Sequence, residues 1–137
     1  MKKLFIIIIL GTISLVVDAQ VLQDSSHKMI GKIESSGIVK DEHNFKIGKF
    51  ESNGVIKNAR NFTVGKIEKN GVVKDDHNFQ IGKIESNGTV KDERNFTLGK
   101  IEDNGTVKNS KNFAIGSAKG VDKRYAAVFF FFKLFDK

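Results

Sequence analysis

The sequence predicts an all-β protein of tandem seventeen-residue β-hairpin repeats, arranged in a closed or nearly closed pseudo-symmetric array. Three observations support this class. Glycines recur at a fixed spacing of seventeen residues, each interval holds turn residues between two short β-branched segments, and the two ends of the chain look like complementary partial repeats. A single small core fits a chain of 137 residues.

The first nineteen residues have the pattern of a cleavable signal peptide. Lys2 and Lys3 precede an apolar run over 4–17, and Ala19 follows as a small residue at the cleavage position. The run is shorter than the ~20 residues of a membrane-spanning helix. We therefore expect residues 1–19 to be removed, residues 20–137 to form one repeat domain, and no transmembrane segment to remain.

The composition indicates the cellular location of the protein and the class of its partners. The chain has no cysteine, so packing must stabilise the fold, and export without disulfides fits a bacterial periplasmic, cell-surface or secreted protein. The net charge of +7 falls only to +6 when Lys2, Lys3 and Asp18 are removed. Such a basic chain favours anionic polysaccharide or lipid headgroups as partners, and export argues against nucleic acid.

Full repeats occupy about 30–114, and a degenerate closing repeat with a phenylalanine-rich strand occupies 115–135. The glycines that mark the period are Gly31, Gly48, Gly65, Gly82, Gly99 and Gly116. A second glycine in each full repeat follows a polar turn, as in Ser86-Asn87-Gly88. This is a hairpin pattern.

Side-chain alternation decides the length of the hairpin turn. A two-residue loop would place Ile84 opposite Lys91, whereas a three-residue loop places Ile84 opposite Val90 and Lys83 opposite Lys91. Only the second register separates an apolar face from a polar one. We therefore predict a type I turn with Gly88 in the left-handed region.

The second half of each repeat is polar and is predicted to form an exposed link between hairpins. Phe79, Ile81 and Ile84 share one face only if a bulge interrupts the strand, and Gly82 is the expected place. The core is then predicted to contain one phenylalanine from each repeat: Phe45, Phe62, Phe79, Phe96 and Phe113.

The chain ends are predicted to complete the array. Residues 21–24 match the second half of a repeat, and the last repeat has a shortened turn after Gly116, so the two ends could pair and close the sheet. Residues 129–132 are four consecutive phenylalanines, which predict a final core strand or plug. A docking or secretion tail is the alternative for this run.

These residues resemble the five-fold β-flower family, small exported repeat proteins found mainly in Bacteroidetes. The resemblance rests on the recurring Ile-Gly-Lys-Ile-Glu of 81–85, on the Asn-Gly turn followed by Val-Lys-Asp, and on the closing Ala-Ala-Val-Phe-Phe-Phe of 126–131. It implies hairpins arranged as petals around a pseudo-five-fold axis. It implies no biochemical activity.

No residues form a recognisable catalytic, metal or cofactor motif, so we predict no enzyme, no metal site and no cofactor. His43 and His77 occupy a repeat position that other copies fill with Arg60, Arg94 or Lys111, which indicates a solvated basic position. Acidic pairs such as Asp75-Asp76 are replaced by Asn109-Ser110 in another copy, so they do not predict a calcium site.

Paired lysines are the most suggestive feature of the polar face. The predicted register places two lysines of each full repeat directly opposite each other, although like charges so placed repel. The candidate binding residues are Lys32, Lys40, Lys49, Lys57, Lys66, Lys74, Lys83, Lys91, Lys100 and Lys108. The bland interpretation is that these lysines, with neighbouring glutamates, provide solubility and protect strand edges.

Two alternatives stay open. A β-solenoid with one coil per repeat would stack Ile84 on Ile67 and Ile101 in parallel. For function, we expect a non-catalytic structural or interaction module of the bacterial cell envelope that contacts an anionic glycan or lipid surface, and the alternative is a small hydrolase or lyase acting on envelope polymers. Neither the ligand nor the oligomeric state follows from the sequence.

Overall fold

A computed structural model describes residues 19–136, and the predicted signal peptide lies almost entirely outside these residues. Twelve antiparallel strands form one closed barrel in which each strand pairs with its neighbours in the chain, and β1 pairs with β12. The strands are β1 (Ala19–Asp24), β2 (Met29–Glu34), β3 (Ile38–Asp41), β4 (Lys46–Phe50), β5 (Val55–Asn58), β6 (Thr63–Ile67), β7 (Val72–Asp75), β8 (Gln80–Ile84), β9 (Thr89–Asp92), β10 (Thr97–Ile101), β11 (Thr106–Asn109) and β12 (Ala114–Ser117).

The prediction of a closed hairpin array is confirmed, and the solenoid alternative is wrong because the partners within each repeat are antiparallel. Five hairpins are continuous in sequence, and β12 with β1 supplies the equivalent of a sixth. Gln23 faces Ser117 and Asp24 faces Gly116 across that seam. The partial repeats at the two ends therefore close the sheet as expected, which leaves no unpaired edge between them.

The predicted turn and register are confirmed. Ile84 pairs with Val90 and Lys83 with Lys91. The Gly88 amide donates to the Glu85 carbonyl at 2.9 Å, and Gly88 has φ +94°. A glycine accommodates this left-handed angle without the steric cost that a Cβ would bring. Turns of this kind end all five continuous hairpins at one rim of the barrel, which we call the glycine rim.

The second half of each repeat is the exposed link between hairpins, as predicted, and the structure adds that this link is itself a tight hairpin turn. Asn95 takes the left-handed conformation with φ 71°, and its amide donates to the Asp92 carbonyl at 3.0 Å. Asn is the residue other than Gly that tolerates this conformation best. Six turns of this kind lie at the opposite rim, which we call the asparagine rim, and the sheet is one continuous meander.

A bulge does interrupt each repeat, one residue earlier than predicted. On β8, Gln80 pairs with Lys74 and Gly82 with Val73, so Ile81 is the extra residue instead of Gly82. Ile81 and most of its equivalents are partly buried against the core, and Val64 is buried. The bulge thus keeps both Ile81 and Ile84 on the inner face of the barrel, as the hydrophobic pattern required.

The C-terminal segment fills the barrel as a helical plug. Helix α1 (Lys123–Ala127) continues into one π-helical turn (Val128–Phe132), and a 3-10 turn (Leu134–Asp136) follows. The prediction of a core strand or plug is therefore correct for the plug and wrong for the strand, because the Phe-rich run is helical. A helix satisfies its own backbone N–H and C=O groups inside the barrel, where a lone central strand would find no partners.

Each period-marking glycine is a seat for one apolar side chain of the plug. A Cβ added to Gly65 would lie 2.6 Å from the Lys74 carbonyl oxygen and 2.8 Å from Leu134 Cδ1. At the other five seats the plug side chains in contact are Phe129, Phe135, Phe132, Phe131 and Phe130, at Gly31, Gly48, Gly82, Gly99 and Gly116 respectively. The seventeen-residue glycine period thus exists because the barrel wall must admit the plug closely.

The core consists of the inner barrel face and the plug. Leu22, Ile56, Val90 and Val128 are each fully buried. The phenylalanines predicted to share this core do not, since Phe45, Phe62, Phe79, Phe96 and Phe113 are 61–69 % exposed. This expectation was wrong because the plug already occupies the interior, and because each of these residues follows a rim asparagine at the end of the barrel.

Candidate functional site

The ten candidate lysines lie on the outer wall of the barrel in five cross-strand pairs. Lys32 faces Lys40, and the same pairing recurs at Lys49–Lys57, Lys66–Lys74, Lys83–Lys91 and Lys100–Lys108. All five pairs sit at equivalent positions of equivalent hairpins. The wall therefore carries a band of lysines at one level, which we call the lysine belt.

The two lysines of each pair have different surroundings. Lys40 Nζ lies 2.9 Å from a Glu34 carboxylate oxygen, and Lys74 Nζ lies 3.1 Å from Glu68. The same ion pair recurs at Lys57–Glu51, Lys91–Glu85 and Lys108–Glu102, at 3.1–3.6 Å. These paired lysines keep only 22–25 % of their side-chain surface exposed.

The first lysine of each pair has no such partner within the described chain. These residues are Lys32, Lys49, Lys66, Lys83 and Lys100. The glutamate of each repeat thus neutralises one lysine and relieves the repulsion that the cross-strand pairing would otherwise cause. What remains is one unpaired ammonium on every second strand from β2 to β10, about 9 to 10 Å from the next by the usual strand spacing.

In the turns of the asparagine rim, the first side chain accepts backbone hydrogen bonds. Asp92 Oδ1 accepts the backbone N–H groups of Arg94 and Phe96, both at 2.9 Å. Asp or Asn does the same in all six turns of this rim. The recurring Asp-x-x-Asn pattern was a detectable turn signal, since Asp favours the start of such turns and Asn tolerates their left-handed residue.

Basic groups cover some of the exposed phenylalanines at this rim. The guanidinium carbon of Arg60 lies 5.5 Å from the centre of the Phe62 ring, and that of Arg94 lies 5.4 Å from the Phe96 ring. Contacts at this distance are weakly attractive at exposed sites. His43 and Phe45 are neighbours too, with ring centres 6.4 Å apart.

Two exposed clusters at this rim have metal-ligating side chains. Asp41, Glu42 and His43 can bring ligand atoms within 4.8 Å of one another, and Asp75, Asp76 and His77 can do the same. In each cluster the first aspartate already accepts two backbone N–H groups of its own turn. Turn formation accounts for these aspartates.

A cavity of about 510 Å³ opens at the glycine rim beside the start of the plug. Phe50 and Tyr125 line it and stack on each other, with ring centres 4.1 Å apart. Its carboxylates are already engaged, because Glu34 pairs with Lys40 and Asp122 with Arg124. The cavity therefore presents hydroxyl groups and an aromatic edge, without an unpaired charge.

Two ion pairs stabilise the start of the plug at the glycine rim. Burial alone would raise the pKa of the Asp122 carboxyl, but hydrogen bonds from the Arg124 side chain and backbone outweigh it and hold the pKa below its ordinary value. The same pairing raises the pKa of Arg124. Lys123 donates a hydrogen bond to Asp103, and this contact lowers the pKa of that carboxyl.

Comparison with known proteins identifies the architecture. A family profile described as "5-fold beta-flower protein" matches residues 17–134. The chain belongs to this family. The five continuous hairpins of the β-flower barrel fit that description, and the family is not a known family of enzymes. No curated protein and no solved structure matches the chain.

Among the described residues, no helix combines the length and hydrophobicity that a membrane span requires. The predicted cleavage after Ala19 and the predicted export of the chain stay predictions.

Proposed function

We propose that this β-flower protein is a non-catalytic, exported binding module of the bacterial cell envelope, and that its ligand is an acidic polysaccharide held by the lysine belt. The observation that carries the proposal is the repeated asymmetry of the lysine pairs. Among the described residues, five copies each keep one lysine ammonium with no carboxylate at ion-pair distance, at the same level of the wall.

The charge distribution supports an anionic ligand at the wall. The ten lysines of the belt and their five partner glutamates have a net charge of +5, whereas the turns of the asparagine rim carry seven acidic and four basic side chains. Positive potential is therefore concentrated around the waist of the barrel. Many weak contacts spread along a repetitive ligand add up to useful affinity, provided that the ligand can reach several sites at once.

The shape of the belt favours a flexible polymer over a flat lipid surface. The unpaired lysines point away from a closed barrel on successive hairpins, so a plane can touch only those on one side. A flexible polyanion can follow the circumference and engage more of them. Lipid headgroups, the other partner expected from composition, fit this geometry less well.

Two quintuple variants with equal net charge test the proposal. One replaces the unpaired set (Lys32, Lys49, Lys66, Lys83 and Lys100) by glutamine, and the other replaces the ion-paired set (Lys40, Lys57, Lys74, Lys91 and Lys108). Elution from polygalacturonate and heparin columns is measured against a salt gradient. We expect the unpaired-set variant to elute at much lower salt than the ion-paired-set variant.

Equal elution of the two variants would show that net charge alone governs retention, and would contradict a role for the belt geometry. Failure of the unmodified chain to bind either polymer at low salt would overturn the proposal as a whole. Because the ion-paired lysines are only partly exposed, thermal unfolding monitors whether the barrel is intact in both variants.

A further inference from the structure

The asparagine rim presents five exposed phenylalanines that lie outside the hydrophobic core. Phe45, Phe62, Phe79, Phe96 and Phe113 are each 61–69 % exposed, whereas the large aliphatic residues of the inner wall are buried. Monomeric soluble proteins rarely expose a regular apolar set of this size without a partner. The sixth turn of the rim has Lys28 in the corresponding place.

The repeats retain phenylalanine while the residues around it vary. The position two residues before it is His43, Arg60, His77, Arg94 or Lys111, and the position after it is Lys46, Thr63, Gln80, Thr97 or Ala114. The turn itself uses only the backbone of the phenylalanine, whose N–H and C=O bond to the Asp or Asn at the start of the turn. Turn formation therefore does not explain the aromatic side chain.

The five rings lie at one level. The rim asparagines share φ values of 68–71°, and the bond from the turn-opening residue to the phenylalanine carbonyl is 2.9 Å in every copy. Equal turns on strands of one closed barrel end at the same height, so the rings form an annulus around the barrel axis. Such an annulus matches a partner that is itself a similar annulus.

We propose that the annulus of five phenylalanines is a self-association surface, on which a second copy of this chain docks rim to rim. The proposal goes beyond the polysaccharide-binding function and does not depend on the lysine belt. With about two thirds of each ring exposed, five phenylalanines offer on the order of 600 Å² per copy. A stable interface buries about 800 Å² per partner, so the rings and their neighbours supply most of that area.

The charges of the rim favour a second copy over an anionic lipid surface. Seven acidic and four basic side chains give the six turns a net charge of −3 with neutral histidines, which offers no attraction to lipid phosphate. The charges differ from turn to turn. The turns containing Arg60 and Lys111 have a base and no acid, whereas those containing Glu42 and Asp76 have acids and no lysine or arginine. Base-only turns of one copy can face acid-bearing turns of the other.

Analytical ultracentrifugation of the full mature chain over a wide range of protein concentration tests this surface. The test variant replaces Phe45, Phe79 and Phe113 by serine, and the matched control replaces Ser35, Ser52 and Ser86 of the glycine rim by alanine. We expect the unmodified chain and the control to dimerise, and the test variant to be monomeric with at least a tenfold weaker association. The monomeric variant should keep its melting temperature, since the altered rings are exposed.

A monomeric unmodified chain at every concentration would overturn the proposal, as would a dimer that persists unchanged in the serine variant. Flotation with phosphatidylethanolamine–phosphatidylglycerol vesicles distinguishes the main rival. If the unmodified chain stays monomeric and floats, and the serine variant does not, the ring binds lipid instead of a second copy. These readouts are independent of column retention, so failure here leaves the polysaccharide proposal standing and the reverse is also true.

Discussion

Two groups of phenylalanines occupy opposite environments in this barrel. The plug group, at 129–132, packs against glycine seats in the inner wall, whereas the rim group, exemplified by Phe79, is about two thirds exposed. Hydrophobicity is the same in both groups, so it does not determine the location. The space available in the barrel determines the location of each group, because the plug fills the interior and leaves the rim phenylalanines outside it.

The comparison explains how much of the fold the sequence could predict. The seventeen-residue period, the turn at Ser86-Asn87-Gly88 and the lysine register all depend on local turn chemistry and on strand alternation. These predictions were correct because local turn chemistry and strand alternation do not depend on distant parts of the chain. The seam between β1 and β12 was predictable for a related reason, since the two ends read as complementary partial repeats.

The errors concern contacts between distant residues. Alternation alone could not show that 123–136 would enter the barrel as a helix, and without that knowledge Phe79 appeared to belong in the core. The glycine period held the missing information, because a glycine on the inner wall indicates close approach of another group. The positions of the lysines in the belt were predicted correctly. The ion pairs that divide the belt into two sets could be identified only from distances in the structure.

Truncating a side chain of the plug should cause the largest difference in stability between a plug variant and a rim variant. Leu134 is 1 % exposed and contacts the Gly65 seat. Replacing Leu134 by alanine should cost about 2–5 kcal/mol of unfolding free energy, because it leaves a cavity in a filled barrel. Urea unfolding measures this cost. Phe96→Ala at the rim is the control and should change stability by about 0.5 kcal/mol or less.

Filling a glycine seat should have the next largest effect. Gly65→Ala places a Cβ against both the Lys74 carbonyl and Leu134, so overpacking should cost about 1–3 kcal/mol. Thr63→Ala, an exposed change on the same strand, serves as the control. In the double variant with Leu134→Ala, the losses should be less than additive, because one clash is relieved. Strict additivity would show that Leu134 does not occupy this seat.

Removing a rim turn acceptor should have a smaller effect. In Asp92→Ala the backbone N–H groups of Arg94 and Phe96 lose their side-chain acceptor, at an expected cost of about 0.5–1.5 kcal/mol. Asp92→Asn is the matched control, since Asn109 performs the same function in another copy. Thermal unfolding of both variants checks this, and equal losses would mean that charge, not the turn hydrogen bonds, is what matters.

The smallest expected effect is pH-dependent and belongs to the start of the plug. Because the pKa of folded Asp122 lies below the ordinary value of 3.8, its carboxylate stabilises the fold above that pH, and the contribution is lost as pH falls through the lowered pKa. Asp122→Asn should therefore be less stable at pH 7 by about 0.2–1 kcal/mol, since its pairing with Arg124 is partly exposed. In strong acid the difference should vanish, and a difference that persists there would exclude the carboxylate as its cause.

Thiol accessibility in the two groups can be compared directly, because the chain has no native cysteine. Phe79→Cys places a thiol at the rim, and Val128→Cys, nearly isosteric, places one in the plug, where Val128 is 0 % exposed. Each folded variant is reacted with a maleimide reagent in dilute solution. If the plug fills the interior and the rim phenylalanines lie outside it, the rim thiol reacts as fast as in the unfolded chain and the plug thiol reacts many times more slowly. Equal rates, or a protected rim thiol in the monomer, would contradict this arrangement.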